Sequence, residues 1–100
     1  MLEDILAVLG MQLGLQRVSI EFEVIETNSI RKIPETIARK YRVMPFKMNG
    51  NNHTVVTSDP FNIIADEYLK LVSGMNVIKA LDTKKSIEEA INKYYTRQYA

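Results

Sequence analysis

The tetrapeptide Asp59-Pro60-Phe61-Asn62 constrains this chain more than any other four residues, because it encodes a helix start directly behind a strand-forming run. The Asp59 carboxylate can accept from the free amides of a first helical turn, and Pro60 at the first helical position loses nothing by lacking an N–H. Phe61, Ile64, Ala65, Tyr68, Leu71 and Val72 follow at helical spacing and are expected to form a buried stripe that ends at Ser73-Gly74. Upstream, Arg42 to Met48 and His53 to Thr57 flank Asn49-Gly50-Asn51-Asn52, a turn in which Gly and Asn tolerate positive φ. These two runs predict an antiparallel hairpin, and Pro45, which has no backbone donor, predicts an edge or an irregularity.

The remaining elements follow from periodicity. Leu2, Ile5, Leu6, Leu9 and Leu13 predict an amphipathic helix over residues 2 to 13, weakened by Gly10 and closed by Gly14. Val18, Ile20 and Phe22 alternate with Arg17, Ser19, Glu21 and Glu23, the pattern of a half-buried strand. Residues 24 to 32, with Thr27-Asn28-Ser29, suit a loop or a single turn. Pro34 opens a short helix to Tyr41, burying Ile37, Ala38 and Tyr41. Met75 to Ala80 reads as a short strand centred on Val77 and Ile78. Asp82 or Thr83 caps a last helix whose inner face is Ile87, Ala90, Ile91 and Tyr94. The expected class is therefore α+β: one domain over residues 1–100, with a small, mostly antiparallel sheet of three or four strands packed with about four helices.

Chemistry is sparse in this chain. Thirteen Lys and Arg against twelve Asp and Glu leave a net charge of +1, which argues against a nucleic-acid partner held by bulk attraction. The densest basic run, Arg31-Lys32 with Arg39-Lys40 and Arg42, is interrupted by Glu26 and Glu35 and reads as a solvated face. The absence of cysteine removes disulfides, thiolate metal sites and thiol nucleophiles. The apolar stretch Ile5 to Leu9 is too short to span a bilayer, so no direct membrane insertion is expected. No Gly-x-x-x-x-Gly-Lys-Ser/Thr run exists to close backbone amides around a phosphate. His53, the single histidine, is expected at the surface beside the hairpin turn. Asp59 and Asp66 are explained by capping and helix solvation, and Asp66-Glu67 and Glu88-Glu89 are adjacent rather than paired across a turn. No catalytic residue, metal ligand or cofactor site is predicted, and Tyr94, Tyr95 and Tyr99 are read as core or terminal residues rather than as an aromatic contact patch.

Taken together, Leu13-Gly14-Leu15, Ile33-Pro34-Glu35 with Ala38-Arg39-Lys40-Tyr41, Val43-Met44-Pro45-Phe46 and Asp59-Pro60-Phe61-Asn62 resemble the N-terminal domain of type II secretion and type IV pilus assembly ATPases (general secretory pathway protein E, N-terminal domain). The closing Ile87-x-x-Ala90-Ile91-x-x-Tyr94 is similar to that family's last helix, and Asp59, Pro60 and Asn62 serve as helix cap and family marker. The resemblance implies a non-catalytic docking and regulatory role. Such a domain joins a hexameric motor ATPase, attached or separate, to the cytoplasmic domain of an inner-membrane platform protein, and it sits in the cytoplasm, peripheral at the membrane through that partner. The motor domain is absent from these residues. One branch of the family binds cyclic di-GMP through paired motifs beginning Arg-Leu-Gly and ending in a Leu-x-x-x-Leu-x-x-Gln helix. Here only the ending has a counterpart, at Ile5, Leu9 and Gln12, so nucleotide sensing is the alternative reading. For docking the first helix is the candidate, through Leu2, Ile5, Leu6 and Leu9: a small core leaves apolar area over for a partner, whereas full burial would make these residues core alone.

Overall fold

A computed structural model describes residues 4–96. The elements run α1 (Ile5–Leu13), β1 (Gln16–Arg17), a 3-10 turn (Ile20–Phe22), α2 (Thr27–Arg31), α3 (Glu35–Tyr41), β2 (Val43–Asn49), β3 (Asn52–Thr57), α4 (Ile63–Ser73), β4 (Asn76–Leu81) and α5 (Lys84–Thr96). The α+β class stands, with five α-helices rather than about four. The four-stranded sheet has the order β1-β4-β3-β2, and its balance differs from the expectation. β2 and β3 form the antiparallel hairpin, but β3 pairs parallel with β4 and β4 parallel with β1. The reason is the helix between β3 and β4: a crossover of that length brings the chain back to start the next strand in the same direction.

The hairpin matches its sequence signature. Gly50 takes φ 61°, and the two-residue turn sets Asn49 opposite Asn52. β2 is an edge strand whose register shifts between Pro45 and Lys47, so Pro45 costs no ladder bond. That edge is not left open: the Glu26 amide donates to the Phe46 carbonyl at 3.0 Å, and the Met48 amide donates to Glu26 Oε1 at 3.0 Å. In β3, the neighbours Val55 and Val56 are both 0% exposed. Successive strand residues point to opposite faces, so both faces of the sheet are covered there. α5 contributes Ile87, Ala90 and Ile91 to the core, as its spacing predicts, and packs against β2 and β3. Tyr95 replaces Tyr94 as its fully buried aromatic, with its hydroxyl donating to the Ile33 carbonyl at 2.8 Å; burial pushes that phenol's pKa far up.

Residues 17 to 23 do not form the expected strand. Only Gln16 and Arg17 pair with β4, and the chain then bends into the 3-10 turn. The alternation of Val18 and Ile20 is real, since both are buried, but Phe22 is exposed. What holds the bend is Asp82, 2% exposed at the end of β4. Its Oδ2 accepts from the Ile20 amide at 2.8 Å, and its Oδ1 accepts from Arg17 Nη1 at 2.9 Å and from the Thr83 amide at 2.7 Å. Arg17 Nη1 also donates to the Val18 carbonyl. Asp82 thus ties the 3-10 turn to the sheet, and Thr83 caps α5, its hydroxyl oxygen accepting from the Ser86 amide at 3.1 Å.

The start of α4 also differs from the expectation. Asn62, not Asp59, is its N-cap, its side chain accepting from the Ala65 amide at 3.0 Å. Asp59 instead accepts from the Phe61 amide at 3.0 Å in a turn that carries buried Pro60 ahead of the helix. Gly74 ends the helix at φ 68°, as expected of Ser73-Gly74. Removing the Asp82 carboxylate leaves the Ile20 and Thr83 amides without their acceptor and takes one of two carboxylates from the half-buried Arg17, so Asp82→Ala should lower unfolding free energy by about 3 kcal/mol. Urea unfolding with an unchanged m-value checks this; a loss below about 1 kcal/mol would show that the node is not holding the turn.

Candidate functional site

Among the described residues no catalytic constellation assembles. Among the described residues no group of three or more His, Asp or Glu side chains is placed to hold a metal ion. The basic run is partly consumed by ion pairs: Arg39 Nε lies 2.8 Å from Glu35 Oε2, and Arg42 Nε lies 2.9 Å from Glu88 Oε2. Arg39 Nη1 also donates to Asn92 Oδ1 at 2.9 Å, so these arginines fasten α3 to α5.

His53 is not at the surface. It is 0% exposed beneath α2, with Nε2 2.6 Å from the Ser29 hydroxyl and Nδ1 without a partner among the described residues. The sequence placed it next to a polar turn, but in β3 it lies one residue inside the ladder, opposite Met48 and beside Val77, where α2 covers it. Burial lowers its pKa, and the Lys32 charge adds to the shift while Glu26 and the Ser29 hydrogen bond oppose it. A lone buried imidazole bonded to one hydroxyl has no carboxylate to orient it and no access to substrate, so its role is to fasten α2 to the sheet.

The surface offers apolar helix faces instead. In α1, Ile5 is 76% exposed, and Val8 and Gln12 share its outer face with Met11 on the flank. Leu6 and Leu9 are half-buried toward the sheet, and Leu2 lies outside the described residues. Of the three docking candidates among the described residues, Ile5 alone stands fully outside; Val8 and Met11, passed over in the sequence because they sit beside the leucine stripe, complete the face. The helix is held by Asp4, which caps it by accepting from the Ala7 amide at 3.0 Å and pairs with Arg17 at 3.1 Å, interactions that hold its carboxyl below the ordinary range. Gly10 is there for space: a Cβ would meet the Leu15 carbonyl oxygen at 2.7 Å.

α4 carries the larger face. The stripe expected in the core divides: Ala65 is buried with Val72 half-buried, but Phe61, Ile64, Tyr68 and Leu71 are exposed; Leu69, outside that stripe, is buried, and Ile63 joins the exposed side. Two apolar stripes lie side by side on this helix, and the sheet covers only one. Ile63, Ile64, Glu67, Tyr68 and Leu71 line a shallow open depression of about 430 Å³. The helix is pinned from beneath by Lys79, whose Nζ donates to Asp66 Oδ2 at 2.8 Å and to the Pro60 carbonyl at 2.7 Å.

With this geometry in view, residues 13–99 match the MshEN domain, and the chain belongs to that family. The chain is homologous to a region of type IV pilus assembly ATPases. It is 31% identical over 90 residues to the type IV pilus assembly ATPase PilB of Myxococcus xanthus, covering 90% of this chain and 16% of that protein. It is 30% identical over 89 residues to PilB of Thermus thermophilus, covering 84% of this chain and 10% of the relative. The chain therefore spans a small fraction of these curated relatives, and the matched region is an N-terminal domain rather than their catalytic domain. Its fold is similar to that in a structure of MshE with cdg (TM-score 0.86, 22% identity, 94% of this chain and 70% of that one). It is also similar to the N-terminal domain of XpsE (TM-score 0.76, 14% identity, 92% and 65%).

The His53 environment generates a pH test. Because its folded pKa is depressed below the unfolded value of about 6.5, its contribution to stability is complete above that value and is lost as pH falls below it, toward the folded pKa. Unfolding free energy measured from pH 8 to pH 5 should decline through this window with a slope approaching ~1.4 kcal/mol per pH unit, and His53→Gln should remove that part of the slope. An identical slope in the variant would place the titration elsewhere.

Proposed function

We propose that this chain is a non-catalytic interaction module that couples a type II secretion or type IV pilus motor ATPase to the cytoplasmic domain of an inner-membrane platform protein, with the outer face of α1 as the docking surface. The observation that carries this reading is the exposure of Ile5, Val8 and Met11 on a helix otherwise fixed to the domain by Asp4, Leu6, Leu9 and the close-packed Gly10. A rigid helix presenting apolar side chains is suited to receive a complementary groove or helix. Hydrolysis of ATP belongs to a hexameric motor, attached or separate; this sequence carries no phosphate-loop motif. Among the described residues no helix is long and apolar enough to cross a membrane, which agrees with attachment through a partner at the cytoplasmic side. The near-balanced charge agrees with a protein partner rather than nucleic acid.

A second reading is favoured by one specific observation, the likeness to MshE in a structure with cdg, cyclic di-GMP. Under it, Ile5, Leu9 and exposed Gln12 on α1 are the remnant of a nucleotide-binding helix. Both readings use α1, and they separate experimentally. The docking reading predicts that Ile5→Glu leaves the circular dichroism spectrum unchanged and weakens capture by the immobilised platform domain by about tenfold or more. Undiminished capture would remove α1 from the docking role. Titration calorimetry with cyclic di-GMP should give no heat of tight binding, and a micromolar or tighter isotherm would put nucleotide sensing first.

A further inference from the structure

The outer face of α4 is not used by the docking reading, and its residue pattern specifies an occupant. Ile64, Tyr68 and Leu71 stand at i, i+4 and i+7 along one stripe, with Ile64 72% and Leu71 75% exposed, and Phe61 and Ile63 extend the patch. Together these five side chains leave on the order of 600 Å² of apolar surface in water, at the upper end for a monomer's largest patch. The Tyr68 ring is held in place by Tyr41, with centroids 6.0 Å apart and planes tilted by 51°, so the patch is a fixed surface rather than a loose side chain. Glu67 and Lys70 run along one flank of the stripe, and neither enters an ion pair among the described residues.

This arrangement is self-complementary. A two-fold axis passing beside Tyr68, perpendicular to the helix and lying in the contact plane, sets a second α4 antiparallel to the first. Under that operation Ile64 of one copy meets Leu71 of the other, Tyr68 meets Tyr68, and both flanks stay on the same side. Glu67 of each copy then falls opposite Lys70 of its partner, giving two symmetry-related acid–base pairs beside an apolar seam. A parallel two-fold pairing would instead carry Glu67 and Lys70 of the two copies to opposite sides of the seam, where they could not pair. The area is also of the right order: a standard interface takes about 800 Å² from each partner, which the patch and its charged rim approach. We propose that the chain pairs with a second copy of itself, antiparallel through α4, with Tyr68 near the dyad and Glu67–Lys70 contacts fixing the direction. The surface is distinct from the α1 face, so a dimer leaves that face open.

Sedimentation equilibrium of the 100-residue chain tests the pairing. Between roughly 10 and 500 µM, the weight-average mass should rise from the monomer toward twice its value. Leu71→Asp, at an exposed position, should keep the helical dichroism and leave a monomer throughout. Glu67→Lys and Lys70→Glu singly each oppose like charges twice across the axis and should raise the dissociation constant about tenfold or more, while the double exchange restores it to within about threefold. A wild-type chain that stays monomeric at the highest concentration would overturn the proposal, leaving the face to a different polypeptide. A dimer that survives Leu71→Asp, or a double exchange no better than the single variants, would overturn it as well.

Discussion

Asp82 is the interaction on which the β1 side of the molecule depends. A carboxylate this buried is costly unless every oxygen finds a donor, and here Oδ2 takes the Ile20 amide while Oδ1 takes Arg17 and Thr83. The two-residue β1 supplies little pairing of its own, so the chain between α1 and α2 follows the sheet because this node holds it. Arg17 extends the node outward by pairing with Asp4, the cap of α1. One chain of charge therefore runs from the end of β4 through Arg17 in β1 to the start of the first helix.

The consequence for function is positional. Fixing α1 from both ends leaves its outer apolar face presented on a stable platform, and pinning α4 through Lys79 to Asp66 and Pro60 does the same for the second apolar face. α4 cannot turn to hide its outer residues without breaking the half-buried Lys79 contacts, and α1 cannot without breaking the Asp4–Arg17 pair. The domain thus displays apolar surface by construction.

Much of the fold was legible where the signal was local. Gly50 in its turn, Gly74 behind α4, Pro45 at an edge, and Ile87, Ala90 and Ile91 on α5 all stand where spacing and backbone chemistry put them. Three things were not legible because they depend on distant partners. The run from Val18 to Phe22 alternates like a strand, but whether it pairs or bends is decided by Asp82, more than sixty residues away. The apolar positions of α4 encode helix without saying which of two adjacent stripes the sheet covers. His53 reads as polar and near a turn; it is buried where Ser29 of α2 reaches it from over the sheet. The exposed face of α1 was half legible: Ile5 stands out from the leucine stripe, whereas Leu6 and Leu9 turn inward.

Native-state hydrogen exchange of the Val18 and Ile20 amides tests most directly whether Asp82 makes the irregular segment part of the core. Both amides are bonded, Val18 to the Leu81 carbonyl at 2.9 Å and Ile20 to Asp82 at 2.8 Å. The account predicts that they exchange as slowly as Val55 and Val56 in the central strand, through global unfolding alone. Exchange orders of magnitude faster than the central strand, in step with a fraying terminus, would show that the segment is only loosely attached and that α1 is not held as a fixed surface.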